Sequence, residues 1–340
     1  MTSLQRTHIE RALSTDASAS DLAAVMRAVT QHDFPRLPTF TPRQVQLWQE
    51  FPWPGRKSEH YLSYEDGEPT GRLEVGFPTL DNLQNAFVNL EVHPAHRRKG
   101  IGADLFAFAV SRMKEEGRTT LLAESAWEMP GMPVHDGGAG PAFAQSMGLE
   151  SANLPAVVRR LELSTVDDGT LDAMVRRDDG YRLVQWFNRA PDEYVDDVAY
   201  LDGRLLEDAP TGDLALEAEK VDAARTRAME EVITARGRHS YNTGVVHEAS
   251  NRLVAWTAIS HDGEIPWHAW QNITIVDPGH RGHRLGALVK VANLRLMREH
   301  QPQVTTVDTG NAAVNTYMIA INEQMGFRPL YAWQSWQTEL

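Results

Sequence analysis

The chain has 340 residues, 42% hydrophobic and 23% charged, enough for two cores of ordinary size. With 33 basic and 46 acidic side chains and a net charge of −13, it is not expected to bind nucleic acid through a broad basic surface, and it has no cysteine for a disulfide, a thiolate metal site or a nucleophile. No run of about 18 uncharged apolar residues is present to span a membrane, and the first ten residues lack the apolar core of a signal peptide, so a cytoplasmic protein without a membrane partner is expected.

Leu22 to Val29 has helical spacing, with Ser18, Ser20 or Asp21 available as a cap. Phe34 to Pro54 is Pro-rich and aromatic and reads as irregular or short-helical. Tyr61–Tyr64 and Gly71–Phe77 flank the turn signal at Glu65–Pro69, which predicts a hairpin. A strand over Phe87–Val92, a helix over Leu105–Met113 closing at Gly117, a strand over Thr119–Ala123, a short helix over Pro141–Met147 and a strand over Ala156–Leu163 follow. The acidic, glycine-containing stretch after Leu163 reads as a linker, with a helical turn at Leu171–Val175. A similar order then returns. Strand Tyr181–Phe187 precedes helices from Pro191 and over Val221–Arg236, then a hairpin of Tyr241–His247 with Leu253–Ser260 and a strand over Ala269–Val276. Helix Leu285–Met297, strand Val304–Asp308, helix Ala313–Met325 and strand Leu330–Trp336 close the chain.

One motif occurs twice. Val92-His93-Pro94 is followed by Arg97-Arg98-Lys99-Gly100-Ile101-Gly102-Ala103 and an apolar helical run. Val276-Asp277-Pro278 is followed by Arg281-Gly282-His283-Arg284-Leu285-Gly286-Ala287 and another. Each copy ends a strand and opens a helix, so backbone N–H groups and the positive end of a helix dipole converge on one spot suited to a pyrophosphate. The spacing implies a duplicated domain. A dinucleotide-binding fold would carry its glycines after the first strand, with an acidic residue about 20 positions on. Here the turn follows the fourth strand, which argues against that fold.

The repeated turn, with the later pairs Gly148-Leu149 and Gly326-Phe327, resembles the acyl-CoA signature of the GNAT acetyltransferase superfamily over nearly the whole chain. The arrangement is similar to actinobacterial, mycothiol-synthase-like tandem proteins, in which the C-terminal half does the chemistry. The resemblance implies an α+β fold of two tandem GNAT domains, each a mixed, mostly antiparallel sheet flanked by helices, at residues 1–164 and 181–340 with a linker at 165–180. It implies acetyl-CoA as co-substrate, held by Val92, Arg97, Arg98, Lys99, Gly100, Ile101, Gly102 and Ala103, and by Val276, Arg281, Gly282, His283, Arg284, Leu285, Gly286 and Ala287. The fourth and fifth strands would splay around the pantetheine, with the backbone N–H of Val92 or Val276 polarising the thioester carbonyl.

Departures from the family pattern mark where the two halves differ. Arg284 stands where the family prefers glycine; arginine can replace it if φ is negative, and it either weakens the site sterically or strengthens it by charge. Asn315 and Asn322 fall where the family places, respectively, an asparagine that bonds pantetheine and a tyrosine that protonates the thiolate; an amide donates a hydrogen bond but does not transfer a proton as a phenol does. In the first half the tyrosine position is Ala144, after Phe143, and the asparagine is lost in Gly137–Gly140. Asn315 and Asn322 therefore direct the expected chemistry to the second half.

An ammonium must lose a proton before it attacks a thioester. Glu91, then Glu74, are the candidate bases in the first half; Gln271 and Asn272 cannot serve in the second, where His268, Glu264, Asp262 and His261 lie upstream. Trp256, Trp267, Trp270, Trp333 and Trp336 crowd the second half, as core packing or as an acceptor pocket for a bulky or cationic amine. His93 and His96 fall at no recognisable ligand spacing, and no metal is expected. The expected activity is acetyl (acyl) transfer from acetyl-CoA to a primary amine of a small molecule or peptide by direct attack. The missing tyrosine in both halves motivates the alternative, a non-catalytic acyl-CoA-binding sensor or scaffold. Oligomeric state is not legible.

Overall fold

The computed structural model describes residues 7–132, 138–176, 179–208 and 210–340. In chain order the elements are β1 (His8–Arg11), α1 (Asp16–Asp33), α2 (Pro42–Glu50), β2 (Arg56–Glu65), β3 (Glu68–Pro78), β4 (Asn85–Val92), α3 (Ile101–Glu115), β5 (Thr120–Trp127), α4 (Ala139–Ser146), β6 (Glu150–Glu162), α5 (Asp168–Met174) and β7 (Tyr181–Phe187). There follow α6 (Val195–Gly203), α7 (Leu205–Asp208), α8 (Ala223–Ala235), β8 (Arg238–His247), β9 (Arg252–Asp262), β10 (His268–Val276), α9 (Leu285–His300), β11 (Thr306–Ala312), α10 (Thr316–Met325) and β12 (Arg328–Glu339). The chain forms two compact units, one of Met1–Pro155, Gly212–Leu216 and Tyr331–Leu340, the other of Ala156–Thr211 and Glu217–Leu330.

Both units are α+β with mixed, mostly antiparallel sheets. In the first the strands run β1-β2-β3-β4-β5-β12, and only β4 and β5 are parallel. In the second they run β6-β11-β10-β9-β8-β7, and only β10 and β11 are parallel. The closing strand of the sequence pattern thus supplies the first unit: residues from Ala332 to Glu339 pair with Trp127 to Thr120 of β5. Alternation of apolar residues fixes which faces a strand buries, not which edge it joins.

Local chemistry explains the elements. The first helix begins earlier than its apolar spacing suggests, because Thr15 rather than Ser18, Ser20 or Asp21 is the cap, accepting from Ser18 N–H at 3.3 Å. Within Phe34–Pro54, α2 forms because Thr41 and Gln44 make a reciprocal capping box and Pro42 occupies the first turn. The β2–β3 hairpin turns at Asp66 and Gly67, both left-handed with φ of 53° and 83°. Behind the first sheet, α3 buries Ile101, Leu105, Ala109 and Met113 against Leu73, Val75, Phe77 and Leu121. In the second, α9 buries Val291, Leu294 and Met297 against Val307 and Ile259.

In each unit the parallel pair comes apart part-way. β4 pairs with β5 over Asn85–Val88 and Thr120–Ala123, yet β4 runs on to Val92 and β5 to Trp127. β10 pairs with β11 over His268–Gln271 and Thr306–Thr309, and β10 runs on to Val276.

Candidate active site

Where β4 and β5 part, the first unit holds a cavity of about 530 Å³, within the range of small-molecule sites. Its lining comes from β4 (Val88–Val92), the turn and start of α3 (Arg97, Arg98, Gly100–Ala103), β5 (Ala123–Ala126), α4 (Phe143, Ala144) and the end of α1. Trp333 and Trp336 of β12 also line it, so these two tryptophans serve the first unit and not, as the sequence pattern suggested, the second. Trp336 donates to Ser125 Oγ at 2.9 Å.

The two glycine-bearing turns share a backbone. Each has two left-handed residues, Arg98 (φ 65°) and Gly100 (φ 91°) in the first, Gly282 (φ 90°) and Arg284 (φ 56°) in the second. Arg284 is thus left-handed, so the negative φ under which arginine replaces glycine without strain is not met. Such turns aim successive amides at one point, and an added Cβ at Gly100 would meet no protein atom within 4 Å. Each turn carries one non-glycine residue in a region costing about 1–2 kcal/mol. Arg98→Gly and Arg284→Gly are therefore each expected to stabilise their own unit by about 0.5–1 kcal/mol, once the greater unfolded-state freedom of glycine is deducted. Denaturant titration checks this, and a loss of stability in either variant would contradict it.

The first arginine of each turn is a brace. Arg97 donates from Nε to the Val92 carbonyl at 3.2 Å and through both terminal nitrogens to the buried Asp33 carboxylate at 2.9 and 2.6 Å. Arg281 repeats this, with Nε donating to the Val276 carbonyl at 3.4 Å and a terminal nitrogen 2.9 Å from Asp208. Lys99 pairs with Glu65 at 2.9 Å, which also meets His96 at 3.1 Å. Arg98, His283 and Arg284 are exposed at the turns. Ile101, Gly102, Ala103, Leu285, Gly286 and Ala287 form the first turns of α3 and α9, where backbone N–H groups lack intrahelical acceptors.

The candidate acid–base residues are dispersed. Glu91 lines the cavity and accepts from Arg72 Nε at 2.8 Å. Glu74 is outside the lining, accepting from Ser58 at 3.2 Å. Asn315 caps α10, accepting from Met318 N–H at 3.2 Å. Asn322 is fully buried and donates to Asn311 Oδ1 at 2.7 Å. His268 is buried against Asp308 at 2.9 Å, and Gln271 donates to Thr257 and to the Ala258 carbonyl, both at 3.0 Å. Trp256 donates to Asn242 at 3.1 Å and Trp267 stacks on Arg160, both within the second unit's own packing. Ala144 is at the cavity wall, while Gly137 lies outside the described residues. Among the described residues no cluster of three or more potential metal ligands occurs, and no helix is long and apolar enough to cross a membrane.

Sequence reasoning missed Glu124. It lines the cavity from β5, one residue past the last β4–β5 pair, and accepts from Ser335 Oγ at 3.4 Å. The carboxylate is open to the cavity, but the dense walls around it disfavour the charged form, and its pKa is raised above the usual carboxylate range by that burial. Its only signal in the sequence was an acidic residue at the end of an apolar strand.

Two sheets, each with a parted parallel pair capped by a glycine-bearing turn and helix, define a duplicated acyl-CoA-type transferase fold. The family model for the acetyltransferase (GNAT) family matches residues 25–130. A tandem GNAT protein from the clavulanic acid biosynthesis pathway is 31% identical, covering 98% of both chains with a TM-score of 0.85. A GCN5-related N-acetyltransferase from Sphaerobacter thermophilus shares the fold at 15% identity, covering 98% of this chain and 96% of its own with a TM-score of 0.67. No curated protein matches by sequence. The chain belongs to the GNAT acetyltransferase family, as a tandem member.

Proposed function

We propose that the chain moves an acetyl group from acetyl-CoA to a primary amine of a small molecule or peptide by direct attack, and that the first unit holds acetyl-CoA. The observation that carries this is the cavity between the parted β4 and β5, opening on the Arg98–Ala103 turn. The amides at the start of α3, which lack intrahelical acceptors, suit the pyrophosphate, and the gap between the strands suits the pantetheine. In the second unit Asn315 and Asn322 are engaged in capping and in the pair with Asn311, so the reading gives them no part in the first cavity.

Gly102 provides the test. A Cβ there would lie 3.1 Å from Phe143 and 3.6 Å from Val92, so valine methyls would be driven into the wall of the cavity. Gly102→Val is expected to weaken acetyl-CoA binding at least about tenfold, or 1.4 kcal/mol, in calorimetry. Unchanged affinity and stoichiometry would remove acetyl-CoA from this unit.

A second reading, an acyl-CoA sensor or scaffold, is motivated by Ala144 and Asn322 at the two positions where the family carries its tyrosine. CoA release with a panel of primary amines separates the two. Tight binding without turnover on any amine favours the sensor.

A further inference from the structure

The cavity has two faces because it passes between parted strands. On β4, Val88, Leu90 and Val92 pack with the core beneath α3, which leaves Asn89 and Glu91 on the opposite face. On β5, Leu121 and Ala123 pack with that same core, which leaves Glu124 opposite. On β12, Ser335 is the register partner of Glu124, and Trp333, two residues away, shares its face. The end of α1 closes that face: the Phe34 ring lies 4.6 Å from the Trp333 ring. One side of the opening therefore carries the turn, Gly102 and Phe143, and the other carries Phe34, Trp333, Glu91 and Glu124.

Three carboxylates line this cavity. Asp33 is bound by Arg97 and Glu91 by Arg72. Glu124 is hydrogen-bonded by the Ser335 hydroxyl and lacks such an ion pair among the described residues. A carboxylate open to the cavity, on the sheet face that also carries an aromatic pair, is the chemistry that recognises a cation on an apolar body.

We propose that the Phe34–Trp333–Glu124 face is the acceptor pocket, that it takes a primary ammonium carried on an aromatic or similarly flat apolar body, and that Glu124 is the catalytic base. This rests on the reading of the first unit as the acetyl-CoA unit. The ammonium gives one proton to the Glu124 carboxylate. The freed amine lone pair forms the C–N bond to the thioester carbonyl. As the C–S bond breaks, the second nitrogen proton passes to the departing thiolate, so CoA leaves as thiol and Glu124 returns its proton to solvent. The other charged groups at the cavity are the Asp33–Arg97 and Glu91–Arg72 pairs, His96 from the turn and the exposed Arg98. A raised Glu124 pKa places the acidic limb of kcat/KM above the ordinary carboxylate range, with activity rising as pH rises through it.

The experiment uses the full chain loaded with CoA, titrated with phenethylamine and with its neutral counterpart 2-phenylethanol. The wild type is expected to bind the amine at least about tenfold more tightly than the alcohol. Glu124→Gln is expected to lose that preference with CoA affinity unchanged, and Trp333→Leu to weaken both ligands alike. In turnover with acetyl-CoA and phenethylamine, Glu124→Gln is expected to lose about 100-fold or more in kcat, with the acidic limb gone and the acetyl-CoA KM unmoved. Amine and alcohol bound alike, neither bound, or wild-type turnover in Glu124→Gln would each overturn the proposal. If instead the wild type fails to bind CoA, or Gly102→Val binds it normally, the reading beneath it fails first.

Discussion

Asp308→Ala is expected to destabilise the second unit by about 3–5 kcal/mol, the usual result of leaving one partner of a buried ion pair alone. Asp308 is fully buried on β11, and Arg160 on β6 donates to both its oxygens at 2.7 Å. His268 on β10 lies 2.9 Å from the same carboxylate. Three adjacent strands are thus joined through one side chain, at the end of the sheet where β10 and β11 still pair. Alanine would leave the buried Arg160 charge without its counter-ion. Burial pushes the Asp308 carboxyl up, but the hydrogen bonds from Arg160 and His268 outweigh it and hold the pKa below the ordinary 3.8. A carboxyl depressed in the folded state contributes stability that is present above its unfolded pKa and lost as pH falls through the folded value. The wild type should therefore lose this stability only below about pH 4, whereas the variant lacks it throughout. Denaturant unfolding from pH 3 to 8 reads both. A variant within 1 kcal/mol of the wild type at pH 7 would show that the pair contributes little beyond its desolvation cost.

How much of this was legible depends on the range of each interaction. The β2–β3 hairpin and the two glycine-bearing turns were visible because Asp66-Gly67, Gly100 and Gly282 sit where backbone geometry acts locally. The left-handed Arg284 was not, because nothing in its neighbours reveals the sign of φ. Arg97 reads in the sequence as part of the phosphate turn; its carboxylate partner Asp33, 64 residues away, is not legible there. His268 reads in the sequence as a candidate base; that Asp308, 40 residues on, is its partner is not legible there. Glu124 acquires meaning only from Phe34 and from β12, whose Trp333 arrives from the far end of the chain. The sites on the first unit that sequence order hid are those assembled by strand β12, since local pattern does not specify an edge partner.

Lys290→Met is expected to stabilise the second unit, most strongly at neutral and lower pH. Lys290 is the one lysine of α9. In the structure its side chain is buried, 5.6 Å from the Phe327 ring, and burial pushes its pKa down to about 7. The unfolded chain holds the proton up to about pH 10.5. Between these values the unfolded state binds more protons, so wild-type stability rises with pH across that window; below it the folded state bears the full cost of a buried ammonium. At about 1.4 kcal/mol per pH unit the burden reaches several kcal/mol, reduced by whatever the Phe327 ring returns to the cation. Methionine fills similar volume without charge. Denaturant unfolding at pH 6, 8 and 10, with hydrogen exchange assigning the transition to α9, should show a gap that is widest at pH 6 and closes towards pH 10. A gap independent of pH would mean that the lysine is not carried neutral. The position has a further meaning when the two turns are aligned through Gly102 and Gly286. Four residues on, the first unit has Phe106 in the cavity wall and the second has Lys290. The duplicated halves thus keep one backbone for the turn but differ four residues into the helix, an apolar ring at the cavity in one and a buried amine in the other.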